Sequence, residues 1–169
     1  TPITDGQVLS VGQRDVTVMH TPGHTPGSVC FAFGDAVLSG DTLFLESVGR
    51  PDLEDSSEAA IRRAAADLFD SLERFTDLPA ETVILPGHFS DEAVRPLATE
   101  LDDLLTETTN ELLSDVEDDD HEAFVETIVE SLSDEPANYN EIKQINWGRE
   151  QPGGDVEELE LGPNNCAAN

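Results

Sequence analysis

The chain is short of positive charge, of cysteine, of tyrosine and tryptophan, and of long apolar runs. Eight residues are Lys or Arg against 37 Asp and Glu, a formal net charge of −29 at pH 7. A surface of that sign repels the phosphates of nucleic acids and of anionic membranes, so neither is an expected partner. No apolar run approaches the roughly 20 residues of a membrane-spanning helix, and no signal-peptide pattern opens the sequence. Two cysteines, Cys30 and Cys166, make no disulfide framework and suit a reducing cytoplasm. The first residue is Thr and strand-like sequence follows at once, so a fragment or a processed piece is expected.

What remains is enough for a core. The 169 residues fit one domain, and 37% are hydrophobic in periodic runs, which separates this acidity from that of a disordered chain. Few lysines and many carboxylates point to adaptation to high salt, where charges are screened over roughly 3 Å at 1 M.

Residues 7–11 and 16–20 alternate around Gly12 to Asp15 and read as a hairpin; Val16, Val18 and His20 share one face. A loop rich in Pro and Gly, 21–28, must turn. Residues 28–33 and 36–40 form a second hairpin around Gly34-Asp35. A helix is expected from near Asp55, with Asp55 and Glu58 at capping-box spacing and Ile61, Ala65, Leu68, Leu72 and Phe75 as its apolar stripe. Residues 82–85 read as a buried strand. Helices are expected over 96–113, with Pro96 in the first turn, over 120–132, and over 139–146, capped by Asn138 and stopped by Gly148. The domain is expected to span 1–148, with 149–169 a disordered acidic tail.

Three candidate metal ligands lie just past strand ends, where open sheets gather their sites: His24 in Thr21-Pro-Gly-His24-Thr-Pro-Gly-Ser28, Asp41 in Gly40-Asp41-Thr42, and His88 in Leu85-Pro-Gly-His88. Each also has a plain structural reading, as a polar loop residue or a turn cap. Pro22-Gly23 excludes a helix joining His20 to His24, which makes His20 a core residue or a support for a ligand. By count, two histidines and a carboxylate suit either a non-haem iron triad or a catalytic zinc site. Arg50 could hold a substrate carboxylate through paired hydrogen bonds, or form a surface salt bridge with Asp52 or Glu54. His121, among acidic neighbours, reads as a solvated helix-start residue.

These three motifs with Ser39-Gly-Asp-Thr-Leu-Phe44, in this order and at these distances, resemble the later motifs of the metallo-β-lactamase superfamily over about residues 7–90. The resemblance implies an α/β fold: the C-terminal half of an αββα sandwich, mainly antiparallel strands with flanking helices. It makes His24, Asp41 and His88 metal ligands, with Asp41 bridging when two metals are bound. Gly49-Arg-Pro-Asp-Leu53, Phe124-Val-Glu-Thr-Ile-Val129 and the stretch 136–146 look like the persulfide dioxygenase branch, some of whose members carry rhodanese domains. That branch implies Fe(II), dioxygen and a small thiol persulfide oxidised to sulfite, with Arg50 on the carboxylate of the thiol carrier. The sister glyoxalase II branch implies one or two zinc ions and thioester hydrolysis.

The superfamily's first motif, His-x-His-x-Asp-His, is absent: the chain has four histidines and none has that spacing. In the dioxygenase branch a histidine of that motif would join His24 and Asp41 on iron, with His88 nearby. The expectation is therefore a cytoplasmic metalloenzyme portion that is inactive alone. The third reading is a non-catalytic half-domain whose apolar strand face pairs with itself, as a homo-oligomer, or with another chain.

Overall fold

The computed structural model describes residues 2–88, 99–106, 110–132, 139–146, 148–151, 153 and 167–168. The element order is β1 (Val8–Val11), β2 (Arg14–His20), β3 (Val29–Phe33), β4 (Ala36–Gly40), β5 (Val48–Gly49), α1 (Glu58–Thr76), β6 (Val83–Pro86), β7 (Thr99–Glu100), α2 (Leu101–Thr106), α3 (Glu111–Glu117), α4 (His121–Ser131), α5 (Tyr139–Asn146) and β8 (Ala167–Ala168). Two compact units result, Thr1–Leu132 with Ala167–Asn169, and Ser133–Cys166.

In the first unit a sheet runs β1-β2-β3-β4-β6-β7. Its pairs are antiparallel except β4 with β6, which is parallel because α1 carries the chain back between them. Side chains alternate across the sheet, so the register defines two rows. Met19 pairs with Cys30, and Ala32 with Val37, which pairs with Ile84. This row packs with Leu68, Phe69, Leu72 and Phe75 of α1 and with the buried residues of α3 and α4 in one core. The opposite row, Val18, Phe31, Leu38 and Leu85, crosses four strands in register, yet Leu38 is 44% exposed.

Several sequence expectations change on contact with tertiary structure. The helix expected over 96–113 is instead β7, α2 and α3; Pro96 lies outside the described residues. Leu101, Leu104, Leu112 and Leu113 are all buried, so the apolar period marked a buried side shared by two helices. The Asp55/Glu58 capping box does not form: Ser57 is the N-cap of α1, and Asp55 Oδ1 accepts the Ser57 N–H at 2.9 Å. Asp120 does cap α4, accepting from the Ala123 N–H at 3.0 Å. In the second unit, α5 matches its expected span, and the Gly148 N–H donates to the Ile145 carbonyl just after it; Asn138 lies outside the described residues. Of the expected tail, 154–166 lie outside the described residues, and β8 pairs antiparallel with β5.

Candidate metal centre

The C-terminal ends of β2, β4 and β6 lie at one edge of the sheet, and His24, Asp41 and His88 follow those three ends. Gly40 is level with Pro86 in the parallel β4–β6 pair, and the Gly87 N–H donates to the Gly40 carbonyl at 2.8 Å. That register places Asp41 beside His88, whose Nδ1–H donates to Asp41 Oδ1 at 2.6 Å. The other carboxylate oxygen, Oδ2, stands 3.7 Å from His24 Nε2. Asp41 is therefore the centre of the cluster, with one histidine on each oxygen.

His24 arrives through the loop 21–28, which is fixed from α1. Gly23 has φ +136°, and a Cβ there would stand 2.4 Å from Leu68 Cβ, so only glycine lets the loop lie this close to the helix. One turn on, the Ser71 hydroxyl is 2.7 Å from the Pro22 carbonyl, and Arg74 Nη1 donates to the His20 carbonyl at 2.6 Å. Beneath the loop, the buried Thr21 Oγ1 meets Thr42 Oγ1 at 3.0 Å and Cys30 Sγ at 3.2 Å, tying the His24 loop to the Asp41 turn. Of the two readings of His20, a core residue or a support for a ligand, the core one does not hold. Its ring is exposed and donates from Nε2 to the Pro26 carbonyl at 2.9 Å, so it closes the loop from outside.

The His24 ring is itself buried, and its Nδ1–H donates to the Arg50 carbonyl at 3.0 Å. That bond assigns the proton to Nδ1 and leaves the Nε2 lone pair facing Asp41. Burial pushes the imidazole below its ordinary value, against the opposing pull of Asp41 and the Arg50 carbonyl. Gly49 allows this approach: a Cβ there would be 1.9 Å from the Asp41 carbonyl oxygen and 2.9 Å from His24 Cγ.

The donor chemistry fits part of a metal site. Two ligands about 2.1 Å from one zinc or iron ion at a tetrahedral angle stand about 3.4 Å apart, close to the His24–Asp41 spacing. The His88–Asp41 contact is too short for an ion between those atoms and is a hydrogen bond that orients the carboxylate. Among the described residues, no three His, Cys, Asp or Glu side chains are arranged to hold an ion by themselves. His24 and Asp41 thus have the spacing of two donors to one ion, while His88 is hydrogen-bonded to Asp41.

Arg50 is fully buried. Its Nε and Nη2 donate to Asp52 Oδ1 and Oδ2, each at 2.7 Å, a fork-to-fork pair in the interior where the sequence allowed a surface one. The wall near His88 is Phe44, edge-on at a ring separation of 6.4 Å. His121 is exposed and its ring packs against Phe69 at the start of α4, a solvated helix-start residue as its position beside the acidic run suggested. Sequence reading passed over Thr21, Thr42 and Asn110. The two threonines sit inside recognised motifs but look like ordinary turn residues. Asn110 carries no local signal at all.

The family model described as the metallo-β-lactamase superfamily matches residues 1–88, just over half of the chain. The chain belongs to the metallo-β-lactamase superfamily. Its structure resembles ETHE1 from Myxococcus xanthus with a TM-score of 0.68 and 26% identity, covering 88% of this chain and 60% of that one. A hydroxyacylglutathione hydrolase of Rhizobium johnstonii is 38% identical over 88 residues, 51% of this chain and 31% of that one. A probable polyketide biosynthesis zinc-dependent hydrolase of Bacillus subtilis is 32% identical over 87 residues, 51% of this chain and 36% of that one. This superfamily member spans less than half the length of the curated relatives it matches. Its mixed α/β architecture, a mostly antiparallel sheet with flanking helices, is that of the superfamily. No helix among the described residues is long and apolar enough to cross a membrane.

Proposed function

We propose that this chain carries the later part of the metal centre of a persulfide dioxygenase-type enzyme. His24 and Asp41 hold Fe(II), and His88 orients Asp41 or joins the ligand set when the donors rearrange. The observation that carries this reading is the buried His24, its Nδ1–H held by the Arg50 carbonyl and its Nε2 3.7 Å from Asp41 Oδ2. Bound iron would supply a site where dioxygen and a thiolate-type sulfur meet. Overall, a persulfide, dioxygen and one water give the thiol, sulfite and two protons. The structural likeness to ETHE1 supports the dioxygenase reading, since the Gly49-Arg-Pro-Asp-Leu53 stretch of that branch forms the wall against His24. Arg50 serves the substrate carboxylate only by exchanging Asp52 for it; otherwise the Arg50–Asp52 pair shapes the pocket wall.

The described residues do not complete a site, and the sequence holds no His-x-His-x-Asp-His motif, so on this reading a segment bearing that motif supplies the remaining donors. The chain alone is accordingly expected to bind iron weakly and to leave glutathione persulfide unoxidised in the cytoplasmic, high-salt conditions its charge suits. Iron analysis and oxygen uptake, run on this chain and on the longer polypeptide from its reading frame at molar salt, test this. Tight stoichiometric iron and turnover in the 169-residue chain would overturn the partial-site reading. Two zinc ions and oxygen-independent hydrolysis of an acylated thiol in the longer protein would replace the dioxygenase with a thioester hydrolase, the activity class named in the Rhizobium relative.

A second reading rests on the Val18–Phe31–Leu38–Leu85 row. With Leu38 44% exposed and Val11 63% exposed, this face suits a partner sheet, from a second copy or from an attached domain such as a rhodanese. Molecular mass in molar salt checks it; a monomer at all concentrations that binds no apolar dye counts against it.

A further inference from the structure

Asn110 lies immediately before α3, outside every motif that identifies the family, and is 2% exposed. An asparagine in that position ordinarily turns its side-chain oxygen to the first N–H groups of the helix. Here the Leu113 N–H is taken by the Asn110 main-chain carbonyl at 3.1 Å, and the side chain points elsewhere. Its Nδ2 donates to the Ser47 carbonyl at 2.9 Å and reaches the Phe44 carbonyl at 3.4 Å. Both partners can only accept, which fixes the amide orientation and leaves Oδ1 buried with no hydrogen-bond partner among the described residues. A buried carbonyl left unpaired is costly, and in a native fold it calls for a reason.

The reason lies along the chain from Ser47. The Ser47 carbonyl also accepts the Phe44 N–H at 2.9 Å, closing a tight turn. Two residues on, the Gly49 N–H donates to the Thr42 carbonyl beside Asp41, and Gly49 packs on the His24 ring. The next carbonyl, that of Arg50, accepts the His24 Nδ1–H. We propose that Asn110 is a positioning residue of the metal centre: it clamps the Phe44–Ser47 turn and thereby fixes the Arg50 carbonyl that sets the His24 tautomer. The helical region beyond the family motifs thus decides which imidazole nitrogen carries the proton, and so whether Nε2 presents a lone pair toward Asp41. The inference rests on the metal reading only for why that tautomer matters.

The test uses the metal-free 169-residue chain at molar salt, with long-range proton–nitrogen spectra of the His24 imidazole, assigned by its loss in His24→Gln. The wild type is expected to show one tautomer, protonated at Nδ1. Asn110→Ala and Asn110→Asp should mix the tautomers and speed Nδ1–H exchange about tenfold, as the local opening becomes easier. Leu113→Ala, which removes core packing from the same helix without touching the turn, should keep the wild-type pattern. A single Nδ1–H tautomer with unchanged exchange in Asn110→Ala, or equal loss in Leu113→Ala, would overturn the clamp. Cobalt(II) titration of the longer polypeptide addresses the metal reading separately: a wild type that takes no cobalt overturns that reading, while the tautomer pattern alone decides the role of Asn110.

Discussion

The two faces of the same sheet have nearly the same apolar content and different fates. The Met19–Cys30 and Ala32–Val37–Ile84 side is sealed by α1, whose Leu68, Leu72 and Phe75 have no solvent exposure. The Val18–Phe31–Leu38–Leu85 side leaves Leu38 and Val11 in contact with solvent. Strands that are apolar on both faces belong to sheets covered on both faces. The difference teaches that the sealed face supplies the stability of this unit and also anchors the His24 loop, since Leu68, Ser71 and Arg74 along one side of α1 meet Gly23, Pro22 and His20. The second face is less evenly closed: Val18 is 1% exposed, while Leu38 and Val11 remain in solvent.

The largest expected effect breaks the comparison directly. Leu72→Ala on the sealed face should cost about 2–5 kcal/mol, because its methyls leave a cavity in a packed core. Leu38→Ala on the other face should cost no more than about 0.5 kcal/mol in a monomer. Urea unfolding in molar sodium chloride measures both. Equal costs would show that Leu38 is covered in solution, and a Leu38→Ala cost that grows with protein concentration would identify a second copy as the cover.

A smaller effect sharpens the link between the sealed face and the site. Gly23→Ala forces a Cβ to within 2.4 Å of Leu68 Cβ and 2.6 Å of its Cα, at a φ of +136°. Because backbone atoms of α1 are among those met, trimming the Leu68 side chain cannot relieve the clash. The substitution should destabilise the fold by roughly 1–3 kcal/mol and move the loop that carries His24. Gly27→Ala, where a Cβ meets nothing within 4 Å, serves as the control in the same loop. Matching urea curves for the two variants would refute the close-packing account.

Much of this was legible in the sequence. Alternation gave the two hairpins, and steps of three and four gave the buried side of α1. The placing of His24, Asp41 and His88 after apolar runs anticipated that they would meet, because the ends of adjacent strands share one sheet edge. What escaped depends on contacts between distant segments. His20 keeps step with Val16 and Val18, but it ends its strand, and there its ring turns out to the Pro26 carbonyl. The leucines from 97 to 113 keep a helical period, which cannot tell one helix from two that bury the same side. Arg50 and Asp52 are neighbours in sequence, and nothing local distinguishes a surface pair from the buried pair they form. Asn110 is recognisable only from the carbonyls it meets more than sixty residues away.

The smallest effect concerns the boundary where the N-terminal segment is stapled to α1. Asp5 Oδ1 accepts the His20 N–H at 2.7 Å and the Arg74 Nη2–H at 3.1 Å, so one carboxylate joins the end of β2 to the helix. The His20 N–H, with help from Arg74, holds the Asp5 carboxyl below its ordinary value of 3.8. A carboxyl whose folded value is depressed adds stability that is complete above its unfolded value and disappears as pH falls through the folded one. Asp5→Asn should therefore melt below the wild type at neutral pH, by a margin that stays constant down to about pH 5 and closes as the solution is acidified further. Asp5 is about half exposed, so the margin is small, and molar salt should shrink the Arg74 share while sparing the hydrogen bond from His20. Parallel melting curves of the two proteins from neutral pH to pH 3 isolate this one carboxyl from the 36 other acidic residues, which both proteins share. A margin that shows no decrease between pH 5 and pH 3 would mean that the Asp5 charge contributes nothing and that the substitution acts through shape alone.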